Sequence, residues 1–100
     1  YRAVLATLGH HAVIDNGGWC GFGAGDSAPF AIFQAASSTP THLAFVAPDR
    51  ASVDRFHAAA LGAGGRDNGA PGPRPDYSPT YYAAFVLDPD GNNVEAVCKR

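Results

Sequence analysis

The spacing of apolar positions switches between helical and strand periods along this chain, and each switch marks an element. Tyr1, Val4, Leu5 and Leu8 fall at i, i+3, i+4 and i+7 ahead of Gly9, a pattern that predicts a helix closed by glycine. Residues 12–15 form a short β-prone run, and the turn signal Asn16-Gly17-Gly18 joins them to residues 19–22 as a hairpin. Residues 30–34 supply a third strand, rich in aromatic and β-branched side chains, before the polar linker Ser37-Ser38-Thr39-Pro40. In residues 41–47 strict alternation puts Leu43, Phe45 and Ala47 on one face and His42, Ala44 and Val46 on the other. Asp49 then caps a helix through about Gly62, with Val53, Phe56, Ala60 and Leu61 as its buried stripe and Asp54, Arg55 and Ala58 facing outward. The Gly- and Pro-rich stretch from Arg66 to Pro79 cannot be a central strand and is expected to form a long loop. Residues 81–87 and 93–99, joined by Asp88-Pro89-Asp90-Gly91, close the chain as a hairpin.

These elements repeat. Helix, strand, strand, strand occurs in residues 1–35 and again in residues 50–99, with Leu8-Gly9 matching Leu61-Gly62 at the two helix ends. The second copy is preceded by the strand of residues 41–47, and the first copy has no counterpart. The chain also lacks methionine, and no Ser, Thr, Asp or Asn stands ahead of its first helical turn. A strand and part of a helix are therefore expected upstream of Tyr1.

Composition narrows the function classes. The 100 residues are 46% hydrophobic and 16% charged with a formal net charge of −2, the profile of one ordinary globular domain. Seven scattered basic residues give no electrostatic footprint for nucleic acid. No apolar run approaches the ~20 residues of a membrane span, and secretory targeting is not expected. Cys20 and Cys98 are too far apart for a metal knuckle and too few for a disulfide framework, so free thiols in a cytoplasmic setting are expected.

Candidate chemistry centres on a few side chains. Glu95, the only glutamate, lies in an otherwise apolar strand, where it either faces solvent or serves as an acceptor inside a concave sheet. His42 is equally open to a packing role or a ligand role. The strand before a helix and the last strand of the same unit can, however, bring His42 and Glu95 to one ion, a mixed N/O pair suited to divalent Fe, Mn, Ni, Co or Zn. Arg74, Tyr77, Tyr81 and Tyr82, on or beside the Pro-constrained loop, either grip an anionic or oxygen-rich ligand or pack at a sheet edge. Gly21-Phe22-Gly23-Ala24-Gly25 lacks the following helix and Lys of a phosphate loop, and no serine has the setting of a hydrolase nucleophile.

Thr41-His42-Leu43-Ala44-Phe45, residues 49–57, Asp67-Asn68-Gly69-Ala70-Pro71-Gly72 and residues 81–95, with their Asp88-Pro89-Asp90-Gly91-Asn92 turn, together resemble the vicinal oxygen chelate superfamily of glyoxalases, extradiol dioxygenases and bleomycin-resistance proteins. The resemblance implies an α+β fold of paired βαβββ modules with curved mixed sheets. Residues 1–36 would be an N-terminally truncated first module and residues 41–100 the second, within one domain. It implies metal ligands at His42 and Glu95, with Gln34, or Phe33 after a one-residue shift, at the position of a further ligand. It also implies a metal-dependent lyase, isomerase or dioxygenase acting on a small substrate with vicinal oxygens. Glu95 would double as a proton carrier, and Arg74 or the tyrosines would orient the substrate. The alternative within the same superfamily is a metal-free small-molecule binder of bleomycin-resistance type. A homodimer is expected in either case.

Overall fold

The computed structural model describes residues 1–15, 19–23, 30–33 and 39–99. Its elements run α1 (Arg2–Ala6), β1 (His11–Asp15), β2 (Trp19–Gly23), β3 (Phe30–Phe33), β4 (His42–Val46), α2 (Arg50–Gly62), β5 (Arg66–Pro73), β6 (Tyr82–Leu87) and β7 (Asn93–Cys98). Strands β1, β2 and β3 form one antiparallel sheet in that order. The second sheet has the order β4-β7-β6-β5, with β4 parallel to β7 and the other pairs antiparallel. The turn residues of segments 16–18 and 24–29, and Gln34, lie outside the described residues.

Helix α2 begins where Asp49, in extended backbone, accepts the Ser52 N–H at 2.7 Å. It buries Val53, Phe56 and Ala60, as the apolar spacing predicts, together with Ser52. Leu61 departs from the expected stripe and is 42% exposed. At 100° per residue it stands about 80° round the helix from Val53, beyond the width the sheet covers. His57, at the stripe's border, bonds Asp67 of β5 at 2.9 Å and ties helix to sheet. The core is the sheet face under α2, formed by Ala84 and Val86 of β6 and by Val94, Ala96 and Cys98 of β7. Val4 of α1 is buried in the same cluster, with Tyr1, Leu8 and Phe45 packed against it.

The stretch expected as a long loop is in part a strand, β5, and the true loop is confined to residues 74–81. The difference has a physical reason. β5 is the outermost strand of its sheet, and its register slips between Asp67 and Gly69 and again between Gly69 and Gly72. Prolines without N–H donors are tolerated on such a bulged edge and not in the centre.

The β6–β7 turn is held by Asp88, which is buried. Its Oδ1 accepts the N–H groups of Asp90 at 3.0 Å and Asn92 at 2.8 Å, and its Oδ2 accepts the Asn92 amide at 2.8 Å and the Tyr1 hydroxyl at 2.6 Å. Burial pushes this carboxyl up, but these four donors outweigh it and hold it below the ordinary carboxylate value. The stabilisation is therefore complete above pH ~4 and is lost as pH falls through the lower folded-state value. Asp88→Asn turns a donor toward donors, and we expect it to cost roughly 2–3 kcal/mol at pH 7. Thermal melts should show this gap at neutral pH and a narrower one at pH 3; equal gaps at both would assign the stabilisation to something other than the charge.

Candidate functional site

Residues paired across neighbouring strands project to one face of a sheet. In the second sheet Glu95 of β7 lies opposite Ala44 of β4 on one side and Phe85 of β6 on the other, and Phe85 lies opposite Gly69 of β5. His42, two residues before Ala44, and Tyr81, four before Phe85, share this face. It is the face away from α2, since Val94 and Ala96, which flank Glu95, belong to the core beneath the helix.

Parallel pairing of β4 with β7 thus brings together two side chains 53 positions apart. His42 Nε2 and Glu95 Oε1 are 2.8 Å apart. The His42 side chain is 54% exposed and that of Glu95 only 3%, so a buried carboxylate is reached from solvent through an open imidazole. Of the two settings the sequence left open for Glu95, the structure has the enclosed one. Its second oxygen, Oε2, accepts a hydrogen bond from the Tyr81 hydroxyl. Burial and this bond, followed by the charge of Glu95, push the Tyr81 phenol up to about 12, which keeps it a donor. Both carboxylate oxygens therefore have partners, as a buried charge requires.

The loop of residues 74–81 adds the rim. Arg74 and Tyr81 are joined by a main-chain bond, Arg74 N–H to Tyr81 O at 2.7 Å, and the Tyr77 ring meets that of Tyr81 edge-on at 5.0 Å. Tyr77 is 65% exposed. Phe85 stands between two polar groups, its ring centre 6.3 Å from that of His42 and 5.5 Å from the Arg74 guanidinium carbon. Below His42, the Asn93 side chain accepts the Asn68 amide at 3.2 Å.

Of the residues singled out in the sequence, His42, Glu95 and Tyr81 are linked directly, with Tyr77 and Arg74 beside them. Tyr82 is placed apart. One residue on from Tyr81, it points to the opposite face, where its hydroxyl bonds Asp54 of α2 at 2.7 Å and Arg50 lies over its ring at 4.9 Å. Gln34 lies outside the described residues. Phe85 and Asn93 were not singled out as site residues; their signal was the alternation that puts Phe85 in phase with Tyr81, and Asn93 in phase with Glu95.

The His42 and Glu95 donors fit a divalent ion. An imidazole nitrogen and a carboxylate oxygen are both donors such an ion accepts, and the 2.8 Å between them is that of a direct hydrogen bond. The Tyr81 bond occupies Oε2, so Oε1 is the oxygen that would be shared with a metal beside the solvent-exposed imidazole. Among the described residues no group of three or more His, Cys, Asp or Glu converges, so this pair supplies two donors. A cavity of about 270 Å³ lined by Leu5, His10, Phe22, Phe30, Leu43 and Phe45 lies under the other face of β4 and contains no carboxylate.

Comparison with known proteins bears on the family and the fold. The family profile described as Glyoxalase/Bleomycin resistance protein/Dioxygenase superfamily matches residues 7–96. A glyoxalase/bleomycin resistance protein from Albidiferax ferrireducens shares the fold with a TM-score of 0.82 at 29% identity, over 98% of this chain and 84% of that one. A Mn(II)-bound glyoxalase from Novosphingobium aromaticivorans matches with a TM-score of 0.52 at 22% identity, over 98% of this chain and 34% of its own. No curated sequence matches significantly.

Proposed function

Since the chain belongs to the Glyoxalase/Bleomycin resistance protein/Dioxygenase superfamily, we propose that it is a metal-dependent enzyme of the vicinal oxygen chelate type, acting as a lyase, isomerase or dioxygenase on a small substrate with adjacent oxygens. The observation that carries this is the buried Glu95 carboxylate meeting an exposed His42 imidazole at 2.8 Å.

His42 Nε2 and Glu95 Oε1 would hold divalent Fe, Mn, Ni, Co or Zn, with Gln34 offered as a further ligand. Such an ion supplies Lewis-acid polarisation of two adjacent substrate oxygens. Tyr81 fixes the carboxylate in place by donating to Oε2. Glu95, enclosed on the sheet and poised beside the reacting atoms, can also accept or return a substrate proton. Tyr77 and Arg74 at the rim orient the substrate.

Equilibrium dialysis against Mn(II), read by plasma mass spectrometry, tests the proposal. We expect about one ion per chain in the wild type and at least a tenfold loss of affinity in His42→Ala, since a single remaining donor does not chelate. If folded wild-type protein takes up none of Mn, Fe, Ni, Co or Zn, the metal mechanism fails. The presence of only two donors among the described residues would then favour metal-free sequestration of a small molecule.

A further inference from the structure

Arg74 is held in a way that its neighbourhood does not otherwise explain. One of its terminal nitrogens donates to Ala70 O at 2.8 Å and the other to Pro73 O at 3.3 Å. The guanidinium lies against Phe85, 5.5 Å from ring carbon centre to guanidinium carbon. The space it fills exists because two residues of β5 lack side chains. A Cβ at Gly69, whose φ is +149°, would come within 2.9 Å of Phe85 and 3.4 Å of one guanidinium nitrogen, and a Cβ at Gly72 within 3.2 Å of the other. Main-chain carbonyls position the group without neutralising it, and no carboxylate of the described residues pairs with it. Two of the five N–H donors are used, and the rest remain for a ligand. A fixed guanidinium with no carboxylate paired to it among the described residues, on the same sheet face as His42 and Glu95, is a preorganised receptor for a planar oxyanion.

We propose that Arg74, seated on Phe85 by Gly69 and Gly72, is a preformed carboxylate receptor, and that the substrates of this site are small organic acids whose carboxylate lies at the end remote from the vicinal oxygens. This rests on reading the His42–Glu95 face as the substrate site. The Phe85 ring separates the two polar ends, so the acid's apolar frame lies beside it.

Two probes test this, 3,4-dihydroxybenzoate and 3,4-dihydroxybenzamide, which share vicinal oxygens and differ in the charge at the far end. Titration of the Mn(II)-loaded wild type, followed by ligand NMR or calorimetry, should show at least a tenfold preference for the acid. Arg74→Gln should bring the two affinities within about twofold while Mn(II) uptake stays at the wild-type level. Gly72→Ala, whose Cβ would press on one guanidinium nitrogen at 3.2 Å and otherwise make ordinary contact with Ala70 O, should shift the Arg74 Nε–H resonance and reduce the preference severalfold with the fold intact by circular dichroism. Equal affinities in a wild type that binds Mn(II) overturn the receptor and leave the metal reading standing. Absence of Mn(II) uptake with the acid still preferred, and lost in Arg74→Gln, overturns the metal reading and leaves the receptor. A preference that survives Arg74→Gln places the anion elsewhere and also overturns the proposal.

Discussion

Glu95→Gln should leave the protein folded and reduce its Mn(II) affinity on the order of 100-fold or more, whereas Glu95→Ala should lose both metal and stability. The difference follows from what each substitution leaves behind. Gln keeps an acceptor for the Tyr81 hydroxyl, and its amide nitrogen can take the place of Oε1 beside the His42 ring, so the buried network stays satisfied. Its stability should lie within about 1 kcal/mol of wild type. The amide oxygen lacks the charge that a divalent ion requires of this ligand, so the loss falls on binding. Ala removes the acceptor for two donors and opens a void on a residue that is 2% exposed. A cost of roughly 2–4 kcal/mol is expected. Urea titration of both variants beside metal dialysis separates the effects. A Gln variant that binds Mn(II) as tightly as wild type would remove Glu95 from the ligand set.

The largest expected loss of stability lies at Phe56. Its ring is fully buried and belongs to the cluster formed with Ala84 and Val86 of β6 and with Val94 and Ala96 of β7. This sheet face is built of small side chains, which leaves the helix to supply the bulk of the packing volume. Phe56→Ala removes that volume where alanines and valines cannot reach across to refill it, for a cost of about 3–5 kcal/mol. Against the ~5–15 kcal/mol that holds a domain together, this should lower the melting temperature by roughly 20 °C or leave the chain largely unfolded at 37 °C. Phe56→Leu, which retains most of the volume, should lose well under half as much. A wild-type melt for Phe56→Ala would mean that the cluster under α2 does not carry the fold.

Elements with strong local signals were legible in the sequence. Asp49, the Asp88-Pro89-Asp90-Gly91 turn and the alternation through His42 to Ala47 each act within a few residues, so the helix cap, the last hairpin and the two faces of β4 follow from spacing alone. β5 was not legible, because Pro71 and Pro73 exclude a central position without distinguishing a loop from an edge strand. The site was legible where repeat logic applied: the strand before the helix and the last strand of the unit do lie side by side, with His42 beside Glu95. Tyr81 and Tyr82 show where that logic stops. Adjacent positions in a strand face opposite ways, and only the pairing of β6 with β7 decides which tyrosine reaches Glu95. Phe85 was missed for a related reason, since an aromatic residue in a strand has no local mark that separates a packing ring from a platform for Arg74.

The parallel contact between β4 and β7 also sets the order in which the protein can acquire its function. The β6–β7 hairpin closes over a short turn and can form early, but His42 meets Glu95 only when a strand from mid-chain docks beside the last one, across a loop of some fifty residues. Closing that loop has little entropic compensation until α2 has packed beneath the sheet. During synthesis β7 must be released before the pair can exist. The proposed metal uptake and acid recognition would thus be properties of the finished fold, and a nascent or nicked chain lacking β7 would carry the imidazole and the guanidinium without the carboxylate beside them.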